Sequence, residues 1–117
     1  MPEAKSEQRI APRVRLRRAM RLKRQSGECL DGFTVDISAS GLAVTVPDNL
    51  PTGETVAIAF TLIKGDIHQP VQLTARVVYS VCCGMDGFRL GMQILQCSEA
   101  SRQALAAILP GGAGQAS

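Results

Sequence analysis

Residues 56–77, VAIAFTLIKGDIHQPVQLTARV, decide the fold. Val56, Ile58, Phe60 and Leu62 occupy alternate positions, as do Val71, Leu73, Ala75 and Val77, and the second series runs on to Tyr79. A period of two puts each set on one face of a strand and its neighbours on the other. Lys64-Gly65-Asp66 between the runs is a hairpin signal. The stretch reads as two antiparallel strands sharing one buried face.

The same alternation extends in both directions. Downstream, Cys83–Gly87 turns the chain, and Phe88, Leu90, Met92 and Ile94 give another strand. Upstream, beyond the loop of residues 47–53, Leu42, Val44 and Val46 give a strand entered through the tight corner Ser38-Ala39-Ser40-Gly41. The strand before that corner is read with Phe33, Val35 and Ile37 inward and Thr34, Asp36 and Ser38 outward. Before the turn Gln25-Ser26-Gly27, a single strand is expected from Arg13 to Lys23. Val14, Leu16, Met20 and Leu22 line one face, and Arg13, Arg15, Arg17, Arg21 and Lys23 line the other. Arg18 falls on the apolar face and breaks the pattern, which suits a position near a barrel end. Six antiparallel strands with short connections predict an all-β domain, a small closed barrel or a sandwich.

The last element differs. Ser98 is a helix N-cap candidate with Glu99 in the first turn. Ala100–Leu109 then reads as helix, with Leu105, Ile108 and Leu109 on one side and Pro110-Gly111-Gly112 as the stop. This helix is expected to close one end of the barrel. Residues 1–12 lack periodicity and read as a flexible basic arm, residues 13–109 as the barrel with its helix, and residues 110–117 as a disordered tail.

A chain of 117 residues has room for one domain. No apolar run is long enough to span a bilayer, and no apolar stretch follows the basic N-terminus as in a signal peptide, so the cytoplasm is the expected compartment. The net charge of +3 is uneven. Residues 1–24 hold nine Lys or Arg against two Glu, and residues 25–117 hold four against eight Asp or Glu, a split of +7 and −4. A basic arm on an acidic body points to an anionic partner.

Cys29, Cys82, Cys83 and Cys97 form no C-x-x-C pair, and His68, placed in the hairpin loop, is the one histidine. No metal site is expected. The adjacent Cys82 and Cys83 read as small apolar residues near a strand end. There is no Gly-rich phosphate loop, no nucleophile elbow and no base with a partner, so no enzyme is expected.

Two motifs remain. Arg9-Ile10-Ala11-Pro12-Arg13 places an Arg-x-x-x-Arg pair where the arm meets the barrel. Guanidinium groups fork onto phosphate or the O6/N7 edge of guanine and stack on the ring. Asp36-Ile37-Ser38-Ala39-Ser40-Gly41 is an Asp-x-Ser-x-x-Gly corner. A carboxylate there can accept from the N1 and N2 donors of guanine, and Gly41 allows a turn or a close backbone approach. The competing reading is a serine-stabilised turn between strands.

In this order, with four strands and a helix following, "QRIAPRVRL" and "VDISASGLAV" resemble the two motifs of the PilZ domain family, over residues 8–109. The resemblance implies a six-stranded β-barrel with a C-terminal helix that binds the second messenger cyclic di-GMP, with no further cofactor. It implies that Arg9 and Arg13 clamp phosphates and guanine, and that Asp36, Ser38 and Gly41 hold the other guanine face. Gln8 stands where many members have a further arginine, a position that influences whether one or two ligand molecules bind. The implied role is a signal-transduction adaptor whose arm rearranges on binding and is read by an unidentified downstream protein. The alternative is a small basic barrel binding RNA or single-stranded DNA. Against it, Phe33, Phe60 and Phe88 are all read as core-facing, leaving no aromatic platform for bases, and no nucleic acid partner is expected.

Overall fold

The structure, a computed structural model, describes residues 12–109. Seven strands and one α-helix follow in order, with a single 3-10 turn at Gly84–Asp86 between the last two strands: β1 (Val14–Arg15), β2 (Ala19–Arg24), β3 (Cys29–Ile37), β4 (Gly41–Val46), β5 (Thr55–Lys64), β6 (Ile67–Cys82), β7 (Phe88–Cys97) and α1 (Glu99–Ala106). The sheet order is β1-β3-β2-β5-β6-β7-β4, and β4 pairs again with β3. That second pairing closes β2–β7 into a six-stranded antiparallel barrel, and β1 extends the ladder along β3. Closure leaves the ring without an edge strand.

The alternation read from the sequence fills the barrel. Met20 and Leu22 from β2, Leu42, Val44 and Val46 from β4, and Val56, Ile58, Phe60 and Leu62 from β5 are buried together. Val71, Leu73, Ala75 and Val77 from β6 meet Leu90 and Met92 from β7 in the same cluster. Helix α1 adds Leu105. Its N-cap is Ser98, whose hydroxyl accepts from the Ser101 amide at 3.1 Å. The Ser101 hydroxyl in turn accepts from the Gln72 amide at 2.8 Å, which ties the helix to β6. The helix ends at Ala106, earlier than the pattern suggested, with Ile108 and Leu109 beyond it still packed against the core.

Three expectations are corrected. The strand read as continuous from Arg13 to Lys23 is interrupted at Leu16–Arg18. Both pieces pair with β3, and the excursion between them is held by Thr34. The Thr34 hydroxyl accepts from the Arg18 amide at 2.8 Å and donates to the Leu16 carbonyl. The Thr34 amide donates to the Arg18 carbonyl at 2.9 Å.

The face of β3 is also reversed at its centre. Thr34 is fully buried and Phe33 is 40% exposed, because the β3–β4 register shifts between Thr34 and Asp36. Val35 is the extra residue of a bulge, so counting back from Ile37 by twos assigns the wrong side to everything before it. Finally, His68 lies within β6 rather than in the loop, paired with Ile63 and exposed. Arg18 sits as expected at a barrel end, its Nε donating to the Thr61 carbonyl at 3.0 Å.

Thr34→Val keeps the shape and strand preference of the side chain and leaves the Arg18 amide and Leu16 carbonyl without it. Urea denaturation should show a loss of about 1–3 kcal/mol. Thr74→Val on the outer face of β6 should stay within about 0.5 kcal/mol of the parent. Equal midpoints for the two variants would mean that the hydroxyl clamp contributes no stability.

Candidate functional site

The bulge in β3 turns Asp36 to the outside of the barrel, where arginines from the segment leading into β1 and from β7 reach it. Register partners share a face, so a row of outward positions can be followed across the sheet. Arg15, Asp36, Ala43, Gly91 and Tyr79 are successive partners on β1, β3, β4, β7 and β6. A second row runs Phe33, Thr45, Arg89 and Val81.

Asp36 is the centre of this face. Arg13 Nη1 donates to its Oδ1 at 2.6 Å, and Arg89 Nη2 donates to its Oδ2 at 3.4 Å. The Asp36 side chain keeps 13% of its surface, whereas those of Arg13 and Arg89 keep 55% and 41%. The carboxylate is thus recessed and the guanidinium groups stand over it. Arg89 Nε is buried and has no hydrogen-bond partner among the described residues.

The ground beside Asp36 is low. Ala43 and Gly91 separate it from Tyr79, and the Tyr79 ring lies across Gly91 so closely that a methyl added there would fall 2.0 Å from the ring. On the other side Arg17 stacks over the exposed Phe33 ring at 4.1 Å from its centroid. The face offers a carboxylate, exposed guanidinium groups and an aromatic ring around small residues. It can accept from a polarised N–H edge and donate to an anion.

The five residues singled out from the sequence have different fates. Arg13 and Asp36 are brought into contact. Arg9 lies outside the described residues, as do most of the arm read over residues 1–12 and the tail over residues 110–117. Ser38 is buried, and its hydroxyl is used within the corner. It accepts from the Ser40 and Gly41 amides at 3.3 and 3.2 Å, while the Ser38 amide donates to the Gly41 carbonyl at 2.8 Å. This is the serine-stabilised turn. Gly41 is required by strand contact: a Cβ there would meet the Met92 carbonyl oxygen at 2.6 Å, so the side-chain-free position lets β4 lie on β7.

Arg89 and Tyr79 were not picked out from the sequence. Alternation puts Arg89 outside, but it reads Tyr79 inward with Val77; the shift in the β6–β7 register between Val77 and Tyr79 corrects this and leaves Tyr79 42% exposed. Only the pairing of β4 with β7 and of β7 with β6 brings Arg89 to Asp36 and Tyr79 into its row.

Two arginines of the remaining basic face are matched by carboxylates. Arg21 pairs with Asp31 at 2.9 Å on the surface. Arg24 binds both oxygens of Glu54 at 2.7 and 2.8 Å and Glu28 at 3.1 Å. The hydrogen bond to Glu54 foremost raises the Arg24 pKa further above its ordinary value. Cys29, Cys82 and Cys83 are exposed free thiols, and burial pushes the half-buried Cys97 thiol upward. Among the described residues no group of three or more His, Cys, Asp or Glu side chains is placed to hold a metal, and no helix is long and apolar enough to cross a membrane.

Comparison with known proteins agrees with this architecture. No curated protein matches the sequence. Among solved structures, the Bacillus subtilis inhibitor of motility (MotI/DgrA) superposes with a TM-score of 0.70 at 17% identity, over 91% of this chain and 50% of that one. This chain therefore spans about half the length of that protein. The PilZ domain with c-di-GMP of YcgR from Escherichia coli superposes with a TM-score of 0.61, also at 17% identity, over 91% of this chain and 92% of that domain. At such identity the likeness shows the fold, a PilZ-type six-stranded barrel. The family model for the PilZ domain matches residues 7–110, nearly the whole sequence, and on that match the chain belongs to the PilZ domain family.

Proposed function

We propose that this chain is a non-enzymatic receptor domain for cyclic di-GMP in the cytoplasm, that the ligand binds on the outer face around Asp36, and that a downstream protein reads the liganded state. The observation that carries this reading is the contact of Arg13 with Asp36 at 2.6 Å, with the Arg89 guanidinium 3.4 Å away on the other oxygen. Arg13 of the first motif and Asp36 of the second, far apart in sequence, meet on one exposed face beside a second guanidinium. The structurally similar YcgR domain carries c-di-GMP, which supports the choice of ligand.

The chemistry follows from an exchange of partners. The ligand's phosphates take Arg9 and Arg13, releasing the Asp36 carboxylate to accept from the N1 and N2 donors of a guanine. Arg89 stays beside Asp36 and donates to the same nucleotide. Ser38 and Gly41 act by fixing the corner that aims Asp36. In the proposed organisation residues 1–12 are the arm that closes on the ligand and residues 13–109 the barrel that receives it.

A nucleic-acid reading gains two exposed aromatics after all, Tyr79 and, corrected from its assignment to the core, Phe33. The Phe33 ring is covered by Arg17, and Arg21 and Arg24 are engaged by Asp31, Glu28 and Glu54. A polyanion would have to displace those carboxylates, so the receptor reading is favoured. Affinity falling linearly with log salt, whatever the base sequence, would reverse that choice.

Titration calorimetry with cyclic di-GMP tests the site. Asp36→Ala and Arg13→Ala should each lose most of the affinity, since a charge-assisted hydrogen bond contributes roughly 1.5–3 kcal/mol. Arg89→Ala should weaken binding in the same direction. Asp31→Ala, which breaks only an exposed ion pair with Arg21, should bind like the parent; equal losses at Asp31 and Asp36 would show that acidity matters and position does not.

Amide hydrogen exchange tests the arm. Residues 8–13 should gain protection when cyclic di-GMP is added, while Val56–Leu62 in β5 should barely change. Residues 8–13 protected equally with and without ligand would rule out closure of the arm even if calorimetry supports the site.

A further inference from the structure

One part of the molecule is left unused by the corner around Asp36. The β5–β6 hairpin runs past the barrel end, and between its tip and α1 lies a groove of about 480 Å³. Its walls are aliphatic: Leu16, Leu62, Ile67, Ala104 and Ile108. Ile67 is 64% exposed and its neighbour Ile63 46%, an apolar surface open to water at a place where nothing among the described residues covers it. Contiguous exposed aliphatic side chains beside a groove mark an interaction site more often than scattered ones do. The volume lies within the roughly 300–1,000 Å³ typical of binding clefts.

The groove also has a sign. Arg18 and Lys64 both line it, and neither pairs with a carboxylate of the described residues. Arg18 is the residue that breaks the apolar pattern of the first strand. Its Nε is fixed to the Thr61 carbonyl at 3.0 Å, so the guanidinium is held at the groove by a backbone contact. Residues 110–117, which continue the chain past Leu109, have neither an acidic nor a branched aliphatic side chain and match neither property.

We propose that this groove is a docking site for an acidic amphipathic helix of a partner protein. Aliphatic side chains of the helix enter between Ile67 and Ile108, and its carboxylates meet Arg18 and Lys64. A helix satisfies its own backbone and binds through side chains alone, which is what a groove of aliphatic walls and two cations can receive. The groove lies apart from Asp36, and the inference does not depend on the identity of the nucleotide.

The test uses the full chain, amide-resolved NMR and two stapled helical peptides with the same leucine face, one carrying glutamate on its flanks and the other lysine. The glutamate peptide should shift the amides of Ile63, Ile67, Ala104 and Ile108 and bind at least roughly tenfold more tightly than the lysine peptide. Lys64→Glu, which leaves Arg18 facing a carboxylate of the chain itself, should erase that preference. Ile67→Asp, a change at an exposed position, should lose the peptide while leaving cyclic di-GMP affinity within roughly twofold of the parent, as two separate sites require.

Equal binding of the two peptides, or no shift at these amides, overturns the proposal. So does sodium dodecanoate shifting the same amides while the glutamate peptide does not, which would make the groove a fatty-acid site. A concentration-dependent dimer in the parent that Ile67→Asp abolishes would assign the groove to a second copy of the chain and overturn it equally. Failure of the parent to bind cyclic di-GMP would count against the reading of the Asp36 face and leave the peptide result standing.

Discussion

One extra residue in β3 sets the arrangement of the rest. Val35 has no place in the β3–β4 register, and the strand changes face across it. Before the bulge, Thr34 points into the barrel, where its hydroxyl holds the excursion at Leu16–Arg18. After it, Asp36 points out and Ile37 points in. Without the bulge, the strict alternation that buries Ile37 would also bury Val35 and Phe33, and Thr34 would be lost to the excursion. A single backbone irregularity therefore couples the path of the N-terminal strand to the exposure of the carboxylate at the candidate site.

Closure of the barrel then decides what Asp36 meets. The β4–β7 pairing requires the two backbones to approach at Gly41, where there is no room for a side chain beside the Met92 carbonyl. Through that pairing Arg89, fifty-three positions from Asp36 along the chain, comes within 3.4 Å of it. The corner residues Ser38 and Gly41 thus serve the site through geometry. Their contacts lie inside the protein, and a loss of binding on changing them would report on the corner and the sheet as much as on any ligand.

The charges divide along similar lines. The sequence shows a basic first strand, which suggests a broad anionic interface. In the fold, Arg21 and Arg24 are matched with carboxylates from β3 and from the loop before β5, and Arg17 is laid over Phe33. The basic strand is largely solvated structure, and Arg13 alone of its predicted outer row is joined to Asp36. Arg18, the residue that fits no strand pattern, is the one carried to a different surface.

How much of this was legible can be followed residue by residue. The period of two in Val56–Leu62 and Val71–Val77 determined the strands, their antiparallel hairpin and the inward set, because burying one face of a strand against a core demands that spacing. Ser98 and Glu99 announced the helix start, and Arg-x-x-x-Arg with Asp-x-Ser-x-x-Gly announced where to look for an anion. The position of Phe33, the break at Leu16–Arg18, the convergence of Arg13 and Arg89 on Asp36 and the outward turn of Tyr79 in the same row were decided only by the tertiary structure. A bulge is a property of register between two strands, and a site assembled across β3, β4, β7 and β6 exists only once the barrel is closed. Neither leaves a periodic mark in the sequence that local side-chain spacing could reveal.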